Sequence, residues 1–232
     1  LPNMKEVEKM NIVFNRFNSR NNKDSEYYFT KLLSFPYKED EGWGFSNVEQ
    51  NDNFLEITLL KRLPTYFSSW NEDLNIMEKK TIQIVKEVKF YMDFGRGLLS
   101  CEGGITNLNY VKQALRLSFW KEFVYEDLKM VPYDYLTFLM KDDYLSEIKE
   151  ITINDFNYND IVIGKYIARI VNPSLTEGML LNYSKSISRI KALMLFENEE
   201  FEIVINSRNC ISASCSEENK YYLINYLSFK IY

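Results

Sequence analysis

Apolar and polar residues alternate along much of the first half of the chain, which is the pattern of half-buried β-strands. The clearest segment is 81–94, where apolar residues recur at nearly every second position from Ile82 to Met92. The same alternation predicts strands at 12–17, 43–48, 54–60, 65–70 and 98–101. Pro64 lies between two of these segments, and we expect a bulge or a break there because proline cannot donate a ladder hydrogen bond.

Apolar residues spaced by three or four positions predict helices between the strands. One helix is expected at 25–35, ended by Pro36, and another after Thr106, which is a suitable N-cap. Between the last two strands of this half, Gly95 and Gly97 supply a tight turn. The first half is therefore predicted to be a meander of hairpins with single helices packed against it.

The second half is predicted to contain strands at 151–156, 160–171, 200–206 and 211–214. Ser174 and Glu177 form a capping-box pattern, which predicts the start of a helix. Apolar residues continue from there at helical spacing, and they predict a long helix with one buried stripe formed by Met179, Tyr183, Ile187, Ile190 and Met194. Ser216 is predicted to open a final helix.

Strict alternation of strands and helices is missing, which argues against a doubly wound parallel sheet. The expected fold class is α+β, with mainly antiparallel sheets of hairpins and meanders covered by helices. Two subdomains, 1–120 and 121–232, fit the pattern, with an uncertain boundary between 120 and 150. A single domain remains the alternative.

The composition, with 46% hydrophobic and 16% aromatic residues, supplies enough material for a buried core. No apolar stretch approaches the roughly 20 residues that a membrane span requires, so we expect no membrane association. Cys101, Cys210 and Cys215 are too few for a disulfide scaffold, which favours the cytoplasm. The abundance of Asn and Ile suits an AT-rich bacterial genome, and a bacterial accessory protein of a defence (antiviral) or toxin-immunity locus is a conjecture from this composition.

The chain contains no histidine. This excludes every mechanism that needs a histidine of the chain itself as general base, as metal ligand or as partner of a nucleophile. The three cysteines do not provide four tetrahedral ligands, so we expect no structural zinc and no other cofactor. These exclusions favour a protein that is not an enzyme.

One catalytic alternative rests on Glu87 and Lys89, which are separated by one residue on a predicted strand. Alternate positions share a face, so Glu87 would hold a divalent metal while Lys89 stabilises phosphate charge. A second acid would come from Asp73, Glu56 or Asp93. This arrangement resembles half of a metal-dependent nuclease site, but the spacing is common on solvated strands.

The leading hypothesis is a non-catalytic interaction protein that docks to another protein or to itself. Residues 122–160 contain ten acids against Lys129, Lys141 and Lys149. Acidic side chains would steer a basic partner, and exposed aromatic side chains would supply most of the affinity. The residues predicted to form this contact are Asp142, Asp143, Tyr133 and Tyr135.

Nucleic-acid binding is the alternative, although a protein with a net charge of -5 does not attract polyanions through its overall charge. It would need a local basic and aromatic surface. Candidates are Arg16 and Arg20 near the first strand, and a second group formed by Lys165, Arg169, Lys185 and Arg189. In this second group, Lys185 and Arg189 share one face of the predicted long helix.

Overall fold

Strands predominate in the computed structural model, which describes residues 8–21, 23–128, 130–158, 162–171, 176–196 and 198–230. Eleven strands and five helices lie in these ranges, and the strands hold about twice as many residues as the helices. Neighbouring strands pair antiparallel wherever the register is defined. The expected α+β class is therefore wrong: the protein is mostly antiparallel sheet with few helices, because segments expected to be helix or loop lengthen the strands instead.

The chain divides into two compact units, Arg16–Tyr125 and a discontinuous one formed by Leu1–Asn15 with Glu126–Tyr232. The first strand, β1 (Glu8–Ser19), begins in the discontinuous unit and ends in the other. Whether 1–120 and 121–232 fold as separate subdomains stays a prediction. No helix within the described residues is long and apolar enough to cross a membrane.

The unit Arg16–Tyr125 contains, after β1, the elements α1 (Ser25–Leu32), β2 (Trp43–Asn51), β3 (Phe54–Asn71), β4 (Ile76–Asp93), β5 (Leu98–Glu102), α2 (Ile105–Phe119) and β6 (Phe123–Glu126). Its strand order is β2-β3-β4-β5-β1, and β6 pairs with β1. The hairpin of β3 and β4 is the longest pairing of this unit, with eighteen residues in each strand.

Aromatic packing fills the core of this unit. The Tyr28 ring is fully buried and stacks on Phe94 with 5.0 Å between the ring centroids. It also contacts Phe123 at 4.8 Å and Phe119 at 5.3 Å. The Tyr28 hydroxyl forms a hydrogen bond with Ser19 Oγ, which satisfies the polar end of a buried ring. Tyr28 of α1 thus packs against rings from α2, from β6 and from the turn after β4.

Strand β3 runs without interruption through Pro64, so the predicted bulge or break is wrong. Pro64 lies opposite Gln83 of β4 in a continuous register. Strand β2 pairs with β3 only as far as Lys61, which makes Pro64 an edge position on that side. Proline is tolerated at a sheet edge because no neighbouring strand requires its missing N–H.

The discontinuous unit contains the elements α3 (Pro132–Lys141), β7 (Leu145–Tyr158), β8 (Val162–Arg169), α4 (Thr176–Tyr183), β9 (Ile187–Phe196), β10 (Glu199–Asn206), β11 (Cys210–Cys215) and α5 (Glu217–Lys230). Its strand order is β1-β11-β10-β9-β7-β8. Strand β9 is paired on both sides, with β10 and with β7.

The long helix predicted from the stripe at 179–194 is also wrong. Helix α4 ends at Tyr183, and Ile187, Ile190 and Met194 lie in β9. Buried residues alternate along the second half of this strand, from Ile190 to Phe196. A central strand between two partners is apolar enough to fit helical spacing by chance, and its β-branched residues favour the sheet. Ser174 of the capping box lies outside the described residues.

The aromatic core leads to a stability prediction for α2. Phe119 is 1% exposed, whereas Leu117 on the same helix is 57% exposed. We expect Phe119→Ala to lower the free energy of unfolding by about 3–5 kcal/mol, because it removes a buried ring and leaves a cavity. Leu117→Ala is the matched control and should change it by less than about 1 kcal/mol. Urea denaturation measures both, and equal losses would contradict the assignment of Phe119 to the core.

Candidate interaction surface

Beyond Lys61 the β3–β4 hairpin continues as a two-stranded ribbon, residues 62–85, here called the arm. Its register runs from Arg62 opposite Val85 to Asn71 opposite Ile76. Strand β2 pairs only as far as Lys61, and β5 pairs with β4 only from Phe90 onward. Within the part of the chain that the structure describes, the two strands of the arm therefore pair only with each other, apart from the backbone N–H of Arg62, which donates to Gly42 O at 2.7 Å.

The tip of the arm is closed by side-chain hydrogen bonds to the backbone and between strands. Asn71 Oδ1 accepts from the backbone N–H of Leu74 at 3.1 Å, and Asn71 Nδ2 donates to Glu78 Oε1 at 2.7 Å. Asn75 has a φ of 53°, a left-handed conformation that Asn tolerates. The turn residues 72–75 thus suit a tight connection.

Both faces of the arm expose large apolar side chains. Alternate residues of a strand face opposite sides, so Leu63 and Phe67 lie on the side of buried Leu59, and Tyr66 and Trp70 lie on the other. Tyr66 is 70% exposed. The other exposed apolar residues of the arm are Phe67, Trp70, Leu74, Ile76, Met77, Ile82, Ile84 and Val85.

Such a surface is unfavourable in water unless another molecule covers it. A ribbon of two strands is at best marginally stable alone, because it has no third strand or helix to cover its apolar side chains. Contiguous exposed apolar surface of this kind marks interaction sites in folded proteins. The arm is therefore the strongest candidate for a functional surface in the described residues.

The base of the arm is held against α2 by two lysines. Lys61 Nζ donates to Gln113 Oε1 at 2.7 Å and lies 4.6 Å from the centre of the Tyr110 ring. Burial lowers the pKa of this amine. Lys86 Nζ donates to Asn107 Oδ1 at 2.7 Å. These contacts fix where the covered part of the hairpin ends and the uncovered arm begins.

The acidic surface predicted at 122–160 is not arranged as expected. Tyr135 is 6% exposed, so its prediction as an exposed anchor is wrong: it belongs to the buried side of α3. Tyr133 is half-buried and lines a cleft of about 700 Å³ together with Met140 and Leu181. Asp143 is exposed, with a φ of 57° just after the end of α3.

Asp142 is held by contacts within its own unit. Its Oδ2 accepts hydrogen bonds from Tyr226 Oη at 2.8 Å and from Lys230 Nζ at 2.7 Å. The hydrogen bond from Lys230, then that from Tyr226, lowers the pKa of Asp142. This carboxylate therefore anchors α5 to the end of α3.

The predicted basic residues are also spread over different elements. Lys165 and Arg169 are exposed on β8, while Lys185 lies in the turn before β9. Arg189 lies on β9 and forms an ion pair with Glu150, so the helix face expected to carry Lys185 and Arg189 does not exist. Arg16 and Arg20 are exposed in the other unit.

The Glu87 alternative gains no metal-binding cluster in the described residues. Glu87 is exposed on β4 opposite Leu60, and Asp93 is engaged by Arg96 at 2.7 Å. Within the ranges that the structure describes, no group of three or more His, Cys, Asp and Glu side chains lies close enough to hold a metal ion. Glu87 and Lys89 remain neighbours on one face of a solvated strand.

The three cysteines are free thiols on strands. Burial raises the pKa of Cys101 to about 12 and that of Cys215 to about 11. Burial also raises the pKa of Cys210, which is half-buried. A thiol reacts as its thiolate, so these environments favour structural rather than reactive cysteines.

Sequence reasoning missed the arm because it treated 65–70 and 81–94 as separate strands and assigned no structure to 71–80. The sequence did contain a signal for the arm, because apolar residues occupy both odd and even positions. Examples are the consecutive Tyr66 and Phe67, and Ile84 and Val85. A strand buried on one face alone places them at every second position. Apolar residues on both parities therefore indicate that partners are needed on both faces.

The contacts of Asp142 lead to a prediction about stability and pH. We expect Asp142→Asn to lower Tm at pH 7, whereas Asp143→Asn, its exposed neighbour, should leave Tm unchanged. Because the folded pKa of Asp142 is depressed, its contribution is present above the unfolded value of 3.8 and is lost as pH falls through the folded pKa. Thermal unfolding from pH 7 to pH 2.5 measures this, and an equal Tm for both variants at pH 7 would contradict it.

No protein-family model matches the chain, and no curated protein is similar to it in sequence. Functional inference therefore depends on the residues and their geometry. Of the surfaces described above, the arm combines unpaired strand edges with apolar side chains on both faces.

Proposed function

We propose that this chain is a non-catalytic interaction protein that binds another protein chain through the arm. The observation that carries the proposal is the ribbon at 62–85, which exposes apolar side chains on both faces and pairs with no third strand in the described residues. This is the docking function that the sequence led us to expect. The proposed binding surface is now the arm instead of the acidic segment 122–160.

A protein chain fits this surface better than a nucleic acid does. Within 62–85 there are three cations and three acids, so the arm has no net charge to attract a polyanion. A partner chain can add an extended strand to the edge of β4 and place side chains on both faces. Tyr66 and Trp70 are the expected anchors, because large aromatic side chains supply much of the affinity in protein interfaces.

The composition supports a proposal for the setting of this activity. Three free thiols fit a reducing compartment, and we propose a cytoplasmic location. A role as an accessory or immunity-type protein of a bacterium fits a protein that acts by binding. Nucleic-acid binding through Arg16, Arg20 and the residues of the second basic group stays a separate prediction.

The experiment compares two exposed tryptophans of the same unit. Trp70 is 54% exposed on the arm, and Trp120 is 77% exposed just after α2. We expect the triple variant Tyr66→Ser, Trp70→Ser, Ile82→Ser, which changes both strands of the arm, to lose the bound chain, whereas Trp120→Ser keeps it. The measurement is native mass spectrometry of the tagged protein isolated gently from its own host, with the far-UV circular dichroism of each variant as the test of folding.

The expected result is one defined additional protein mass, either a second copy or another protein, that is present at fixed stoichiometry and depends on the arm. A bare monomer for the unmodified protein would overturn the proposal. So would a complex that persists unchanged in the folded arm variant.

A further inference from the structure

We infer that the partner is a second copy of this chain, joined by antiparallel pairing of β4 with β4 around a two-fold axis at Ile82. The inference rests on the proposed function, since it uses the arm as the binding element. It names the occupant and the register of the contact. The two arms would form one four-stranded sheet in the order β3-β4-β4-β3.

The edge of β4 is better suited to strand addition than the edge of β3. Strand β3 carries Pro64 on the arm, and Pro64 cannot donate a hydrogen bond to an added strand. Strand β4 contains no proline. From Ile76 to Lys89, the side of β4 away from β3 has no strand partner in the described residues, because β5 starts to pair at Phe90.

Symmetry limits the registers that two copies of β4 can adopt. A two-fold axis perpendicular to the sheet must pass beside one residue, which then faces its own copy. Side chains alternate between the two faces of a strand. Only registers of this kind therefore place the core-facing side chains of both copies on the same face of the joined sheet. The charges along 76–89 then discriminate among the possible centres.

The register centred on Ile82 places opposite charges together and no like charges together. Glu78 of each copy faces Lys86 of the other, so the pair occurs twice. A centre at Gln83 would instead place Lys80 opposite Lys86, which offsets the Lys79–Glu87 pairs that the same register forms. A centre at Ile84 would place Lys79 opposite Lys89. Like charges directly opposite each other destabilise a pair of strands.

Registers shifted in the other direction are also less favourable. A centre at Lys80 places this lysine opposite its own copy. A centre at Thr81 avoids like charges but leaves Glu78 opposite Ile84, which forfeits the ion pair. Glu78 and Lys86 have only amide partners in the described hydrogen bonds, Asn71 and Asn107 respectively, so neither has an oppositely charged partner among the described residues.

The same register covers exposed apolar side chains. Ile82, which is 49% exposed, meets its own copy at the axis. Ile84 lies opposite Lys80, whose aliphatic stem covers it, and on the other face Val85 lies opposite Lys79. Pairing also converts two marginal ribbons into one sheet of four strands, and a sheet of three or more strands with a hydrophobic face can be stable on its own.

Cysteine cross-linking tests the register. Directly opposite residues of an antiparallel pair have Cβ atoms about 4.5–5.5 Å apart, which is close to the separation in a disulfide. We expect Ile82→Cys to give a covalent dimer on mild oxidation with diamide, whereas Ile84→Cys does not, because its two copies lie several residues apart. The unmodified chain, with its three cysteines, gives the baseline.

Charge reversal tests the ion pairs and the self-association itself. We expect Glu78→Lys to weaken the dimer by about tenfold, since two attractive pairs become repulsive. Lys86→Glu should do the same, and the double variant Glu78→Lys, Lys86→Glu should restore the dimer. Glu72→Lys, which makes the same change of charge in the turn of the arm, is the matched control. Analytical ultracentrifugation measures the dissociation constants.

The outcomes separate this inference from the proposed function. A concentration-dependent dimer with the Ile82 cross-link and the charge rescue supports both. A monomer that binds a different protein through Tyr66 and Trp70 overturns the second-copy partner and leaves the interaction function standing. A dimer in which Ile84→Cys cross-links as readily as Ile82→Cys overturns the register.

Discussion

The hydrogen-bonded ladder between β3 and β4 is the interaction on which the functional account depends. Its eighteen paired positions form one continuous register. The first part is embedded in a sheet, because β2 pairs with β3 and β5 pairs with β4. The remainder is only two strands wide. Where the β3–β4 ladder extends beyond the strands on either side, backbone donors, backbone acceptors and apolar side chains are left uncovered. The backbone groups must then form hydrogen bonds with water or with another chain, and the apolar side chains remain in water unless another chain covers them.

The packing at the base explains why the arm extends in this way. Phe90, Val88 and Leu59 are buried in the core of the unit, and Lys61 and Lys86 contact α2 at the boundary. Beyond these lysines the helix no longer covers the hairpin. The sequence of the arm nevertheless continues with Tyr66, Trp70 and Ile82. Apolar residues in a segment without a core of its own are best explained by a surface that is covered on binding.

Much of the secondary structure could be predicted from the sequence, and the errors have identifiable physical causes. The period of two at 81–94 predicted the second half of β4, where Val88, Phe90 and Met92 are buried, but not its beginning at 76–80. The apolar residues at 187–194 were predicted to belong to a helix but form β9. The prediction failed because a central strand with few polar residues also has apolar residues at helical spacing. Tyr135 was taken as exposed because it stands in an acidic segment, but its position on α3 turns it inward. The contacts of Asp142 with α5 join residues far apart in sequence, which no local pattern shows.

Hydrogen–deuterium exchange of the purified protein at two concentrations tests the central claim most directly. The account predicts that amides at 76–89 become more protected as concentration rises, because β4 pairs with a second chain. Amides of β9, which is already paired on both sides, should show no change and serve as the internal reference. Rapid exchange at 76–89 that is the same at both concentrations would contradict the account.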